Sequence, residues 1–157
     1  MGEPFLSDII IKEVCVELAP DLEKSAVIRA LIQALVEAGC LKKKDAEAVH
    51  SGAMERESVG STGIGRGIAI PHCRSSLVKE MVCVFGRCAK GLDFDSLDGE
   101  PVHSLFFIAT PVDQKEQHLA LMKNFASMIR KEHFCDFLGQ TATAKALIDL
   151  LREFEER

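Results

Sequence analysis

No stretch of this sequence approaches the ~20 apolar residues needed to cross a bilayer. The start, Met1-Gly2-Glu3-Pro4, lacks the basic segment and long apolar run of a secretory leader. Leu6 stands where a myristoylation motif needs a hydroxyl residue. These absences predict a soluble, cytoplasmic chain with no direct membrane insertion. Basic stripes are also missing: 19 Lys and Arg face 24 Asp and Glu, for a net charge of −5, which argues against nucleic acid as a partner. The one dense cationic run, Lys42-Lys43-Lys44, reads as a solvated helix end.

None of the cysteines at positions 15, 40, 73, 83, 88 and 135 makes a C-x-x-C pair, so all six read as reduced thiols. Cys83, Cys88 and His103 could be drawn as a zinc site, but their spacing is wrong for one. The acidic segment Asp93, Asp95, Asp98 and Glu100 has Leu97 where a calcium loop needs a ligand, and reads as a solvated turn. No metal and no cofactor is expected.

What the chain does have is 157 residues that are 47% apolar and 27% charged, without repeats or low-complexity linkers, which predicts one globular domain over 1–157. Val14 to Leu18 reads as a strand stopped by Pro20. Asp21 is expected to cap a helix with Ile28, Leu31, Ile32, Leu35 and Val36 on one face and Gly39 after its end. A second helix is expected from about Asp45 to Glu55, with Arg56 at its end. Ile68 to Ile70 and Met81 to Cys88 read as strands, and Val102 to Ala109 as a strand buried on both faces. Helical faces follow at His118, Leu121, Met122, Phe125 and Ile129, and at Leu147, Leu150, Leu151 and Phe154. The expected fold is an α/β sandwich with a central mixed sheet of about five strands flanked by helices.

One segment stands out: Gly60-Ser61-Thr62-Gly63-Ile64-Gly65-Arg66-Gly67-Ile68-Ala69-Ile70-Pro71-His72. It is neither a Walker A loop, lacking the lysine and hydroxyl, nor a dinucleotide fingerprint, because it leads into a strand rather than a helix. Glycines let backbone N–H groups approach an anion, so Gly65 and Gly67 are candidate phosphate-binding positions. His72, set by Pro71 at a strand end, is a candidate nitrogen nucleophile. Arg56 could pair bidentately with a phosphoryl group, although a solvated helix-end arginine is the plainer reading. His118, on an apolar helix face, reads on its own as a core histidine; His50, His103 and His133 read as structural.

The stretch Glu55 to His72 resembles the active-site segment of fructose/mannitol-type IIA domains of the bacterial phosphoenolpyruvate-dependent phosphotransferase system, and the resemblance extends through Phe94 to Val102 and His118-Leu119-x-x-Met122. It implies that His72 is phosphorylated, that Arg56 contacts the phosphoryl group, and that His118 is the second active-centre histidine. It further implies an HPr-type phosphocarrier as donor and an apolar docking patch around the His72 pocket. Downstream, the phosphoryl group would reach a IIB cysteine or serve as a regulatory signal. Arg66, where mannitol-type domains tend to be acidic, tilts the resemblance towards the nitrogen-regulatory branch, with a sugar-specific IIA subunit as the alternative. A non-catalytic binding domain of the same fold is the alternative of another class. The chain departs from the family pattern at Cys73 and Arg74, which follow the histidine where glycine is usual; Cys73 would be an oxidation-sensitive thiol and Arg74 an added positive charge.

Overall fold

The most apolar run of the chain, Val102–Thr110, forms a central strand buried at nearly every position. The computed structural model describes residues 3–155. In chain order it contains α1 (Leu6–Ile9), β1 (Ile10–Glu17), α2 (Lys24–Glu37), a 3-10 turn (Lys43–Asp45), α3 (Ala46–Val59), β2 (Gly63–Gly65), β3 (Ile68–Ala69), β4 (His72–Arg74), β5 (Val82–Leu92), β6 (Val102–Thr110), α4 (Lys115–Ile129), α5 (Phe134–Gly139) and α6 (Ala144–Phe154). The sheet is mixed, six-stranded and ordered β1-β5-β6-β3-β2, with β4 also on β6.

One edge of β6 pairs antiparallel with β5. The other edge carries β3 and then β4, both parallel to it, so these two short strands are one strand broken at Ile70-Pro71. Proline has no N–H to continue a ladder, which places the break. Alternation on β6 then serves two cores. Leu105, Phe107 and Ala109 face α2 and α3, where Val27, Ile28, Leu31, Leu35, Val49 and Ala53 complete the packing. Phe106 and Ile108 face the opposite way, onto Leu121 and Phe125 of α4 and Leu147 and Leu151 of α6. Each of these fully buried Val, Leu, Ile and Phe side chains contributes roughly 1.5–3 kcal/mol.

The expected α/β sandwich is thus what the chain forms, with local corrections. Glu23 rather than Asp21 precedes α2, because Leu22 N–H closes a turn onto the Ala19 carbonyl and holds Asp21 outside the helix. The strand expected at Val14 begins earlier, at Ile10, and α3 continues past Glu55 to Val59, one turn beyond the expected end. Two short strands, β2 and β4, were not foreseen. Cys83 packs in the α4/α6 core and Cys88 in the α2/α3 core, on opposite faces of one strand.

Candidate functional site

The break between β3 and β4 is what presents His72. Ile108 N–H donates to the Pro71 carbonyl at 3.0 Å and Ile70 N–H to the Thr62 carbonyl at 2.9 Å, so the backbone on both sides of the break is held. His72 Nδ1 lies 2.9 Å from the Ile70 carbonyl. A carbonyl can only accept, so Nδ1 carries the hydrogen and Nε2 keeps its lone pair. Burial pushes the His72 pKa below the ordinary histidine value; the Ile70 bond and the Glu57 charge oppose this, and the Arg56 and Arg74 charges add to it. The result is a half-buried imidazole, neutral near pH 7 in one tautomer, with its nucleophilic nitrogen on the free side.

His118 comes to the same place from α4. Its ring centroid is 5.1 Å from that of His72, the planes tilted by 51°. Its Nδ1 lies 2.9 Å from Oγ1 of Thr110, a fully buried residue at the end of β6. Burial, followed by the charges of His72 and Arg74, pushes its pKa down to about 4. Two neutral imidazoles therefore share one cleft.

That cleft, of about 460 Å³, is lined by Arg56, His72, Cys73, Arg74, Lys115 and His118, among others. Three cations and Glu55 ring it, and the first turn of α4 brings the positive end of a helix dipole to its edge. Arg56 spends one N–H on the Gly60 carbonyl (2.9 Å), which closes the end of α3; among the described residues its remaining guanidinium donors have no hydrogen-bond partner. The arrangement suits a compact anion beside a neutral nucleophile. Among the described residues, no three His, Cys, Asp or Glu side chains are grouped to hold a metal ion.

Of the residues singled out from sequence, the fold brings His72, His118 and Arg56 together. It does not bring Gly65 and Gly67 to them. Gly65, Arg66 and Gly67 form the turn of the β2–β3 hairpin, with φ of 101°, 57° and 79°. Ile68 aligns with Ser104 and His72 with Ile108, so Ile68 already lies about 13 Å down the sheet from His72 and the turn lies beyond it. The glycines there serve the turn geometry. Gly63 serves close packing, since a Cβ would come within 2.7 Å of Ser96 Oγ.

Lys115, Thr110 and Glu57 were missed. Glu57 is almost completely buried; its carboxylate accepts from Thr62 N–H at 3.2 Å and pairs with Lys24 Nζ at 3.1 Å, anchoring the segment that leads to the hairpin. No sequence spacing flags it. Thr110 could have been suspected as the lone hydroxyl ending an apolar strand, eight residues before His118. Burial raises the Cys73 pKa, so this thiol stays protonated, against the expectation of an oxidation-sensitive group.

Comparison with known proteins agrees with the geometry. The family described as "Phosphoenolpyruvate-dependent sugar phosphotransferase system, EIIA 2" matches residues 9–154. A fructose-specific EIIABC component of this phosphotransferase system from Bacillus subtilis is 34% identical over 134 residues, which are 85% of this chain and 21% of that protein; the chain thus spans about a fifth of that relative's length. A nitrogen regulatory protein from Pseudomonas aeruginosa is 38% identical over 111 residues, covering 71% of this chain and 72% of the relative. Among solved structures, the nitrogen regulatory protein IIA-Ntr from Neisseria meningitidis superposes with a TM-score of 0.80 at 25% identity, covering 92% of this chain and 97% of that one. The chain therefore belongs to the EIIA 2 family of the phosphoenolpyruvate-dependent sugar phosphotransferase system.

Proposed function

We propose that the protein is a phosphoryl relay in which His72 Nε2 accepts a phosphoryl group from the phosphohistidine of an HPr-type carrier. The observation that carries this reading is the Nδ1–H bond to the Ile70 carbonyl, which leaves Nε2 as the free lone pair in a cationic cleft. Nε2 attacks phosphorus in line as the donor's P–N bond breaks, and the electron pair of that bond returns to the donor ring. His72 keeps its Nδ1 hydrogen, and the Ile70 carbonyl supports the positive character the ring gains. Transfer of this kind needs alignment and charge stabilisation more than covalent assistance. Arg56, Arg74 and Lys115 supply the charge. Thr110 donates its hydroxyl hydrogen to His118 Nδ1, so that His118 turns an Nε2–H towards the phosphoryl oxygens.

Docking has a suitable surface. Val59 and Leu119 line the cleft and are 83% and 56% exposed, an apolar rim around a polar centre. Relatives named as nitrogen regulatory proteins and Arg66 in the hairpin favour a regulatory output; the fructose-specific relative keeps transfer to a IIB cysteine as the second reading. The retained trio His72, His118 and Arg56 argues against a purely binding domain.

The test is intact-mass analysis with phosphoenolpyruvate, enzyme I and an HPr-type carrier. Wild type should gain one acid-labile phosphoryl group and His72→Ala none. A gain that survives in His72→Ala would overturn the assignment. No gain with any carrier would favour the binding domain.

A further inference from the structure

At the other end of the sheet lies a second cleft, of about 510 Å³, lined by Arg66, Arg87, His103, Ser104, Asp136 and Thr141, among others. We propose that it binds a small molecule bearing two anionic oxygen groups, carboxylate or phosphate, held between the guanidinium groups of Arg66 and Arg87. The site does not use the histidine pair.

Arg87 supplies one of the two cations of this cleft. It lies in β5 directly opposite Ser104 of β6, two residues beyond Phe85 of the α4/α6 core, so it is directed to the same face of the sheet as that core. An arginine at that position is unusual unless something pairs with it. Its acidic neighbour is Glu17 Oε1 at 3.4 Å, on a side chain that is itself 63% exposed while that of Arg87 is 23% exposed. A single long contact to a solvated carboxylate leaves most of the guanidinium fork available.

Arg66 supplies the other. It holds φ of 57° between Gly65 and Gly67, a backbone conformation that an ordinary side chain adopts at some cost. That turn is fixed from both sides: Arg66 N–H donates to Asp98 Oδ2 at 3.0 Å, and the Gly67 carbonyl accepts from His103 N–H at 2.8 Å and Ser104 N–H at 3.0 Å. The side chain crosses to the end of α4 and donates one N–H to the Ile129 carbonyl at 3.1 Å. No carboxylate pairs with it among the described residues. The strained turn thus delivers a cation to the cleft wall. Among the described residues Asp136 is the one acid lining the cleft; its side chain is 80% exposed and reaches His133 Nδ1 at 3.8 Å. Two cations and a serine in a cleft of ligand size match a small molecule with at least two anionic oxygen groups.

The experiment is a titration of isotope-labelled protein with citrate and, separately, with pyrophosphate, followed by amide correlation spectra at constant ionic strength of about 0.15 M. We expect saturable shifts at Gly67, Ala89, Ser104 and Gly139 with a Kd of about 1 mM or tighter. Binding should weaken at least about tenfold in Arg66→Gln and in Arg87→Gln, stay close to wild type in Arg66→Lys, and be unaffected in Arg74→Gln. Response to citrate alone identifies a carboxylate ligand, and response to pyrophosphate alone a phosphate ligand; either supports the site. The proposal is overturned if neither probe gives saturable shifts at these amides. It is equally overturned if the shifts are confined to residues 72–74 and 118 and vanish in Arg74→Gln, which would leave the histidine cleft as the anion site.

Discussion

Replacing His118 by glutamine should flatten the acid side of the stability profile. In the folded protein the His118 pKa lies at about 4, against 6.5 for an ordinary histidine, because burial and the charges of His72 and Arg74 disfavour the imidazolium. Unfolded chains therefore take up a proton near pH 6.5 that folded chains refuse until about pH 4. The neutral ring's stabilising contribution is complete above pH 6.5 and is lost as the pH falls towards 4. At about 1.4 kcal/mol per pH unit of separation, the ceiling is about 3 kcal/mol. Because the ring faces an open cleft, solvent screening reduces this to about 1–2 kcal/mol. Glutamine can still hydrogen-bond Thr110 but does not titrate. Urea unfolding of both proteins at pH ~7.5 and pH ~4.5 measures the difference directly. Wild type should lose about 1–2 kcal/mol more than His118→Gln between the two. His72, shifted in the same direction, contributes slope to both proteins and cancels. Equal losses would refute the claim that His118 is held neutral by its surroundings.

Other perturbations have equally definite outcomes. Glu57→Ala removes the acceptor of Thr62 N–H and the nearer of the two carboxylates beside Lys24, and should lower unfolding free energy by about 2–4 kcal/mol; Glu57→Gln, which keeps an acceptor, should lower it by about half as much. Gly52→Ala places a Cβ 2.8 Å from Cys73 Sγ and should destabilise by about 1–3 kcal/mol in chemical denaturation. In a Cys73→Gly background the same change should stabilise by about 0.5–1 kcal/mol, because only the helix preference for alanine remains. Val59→Asp and Leu119→Asp, both exposed at the rim of the histidine cleft, should slow phosphoryl transfer from the carrier by about tenfold or more while leaving the melting temperature within about 2 °C.

Much of the fold was legible because its signals are local. The apolar run of β6 and the periodic faces of α2, α4 and α6 each depend on a few neighbouring residues. Pro71-His72 was legible for the same reason, since a proline both breaks a strand and sets the residue after it. The glycines were misplaced because spacing does not reveal direction. Gly67 and His72 are five residues apart, and in extended chain that is about 16 Å, not a shared pocket. Arg56 sits beside His72 because α3 packs along β4, a tertiary fact that only the family resemblance anticipated. Lys115 and Thr110 join the site from the two sides of a turn, Pro111 to Gln114, with no pattern of their own. Glu57 looks like any helix-end glutamate until burial is known.

In the proposed relay the phosphoryl group resides on Nε2 of His72. Long-range proton–nitrogen correlation spectra of the carrier-phosphorylated protein, with histidine labelled in its ring nitrogens, test it most directly. A single phosphorylated ring, His72, is expected, with phosphorus coupled to Nε2 and hydrogen retained on Nδ1. Phosphorus on Nδ1, or on His118, would contradict it.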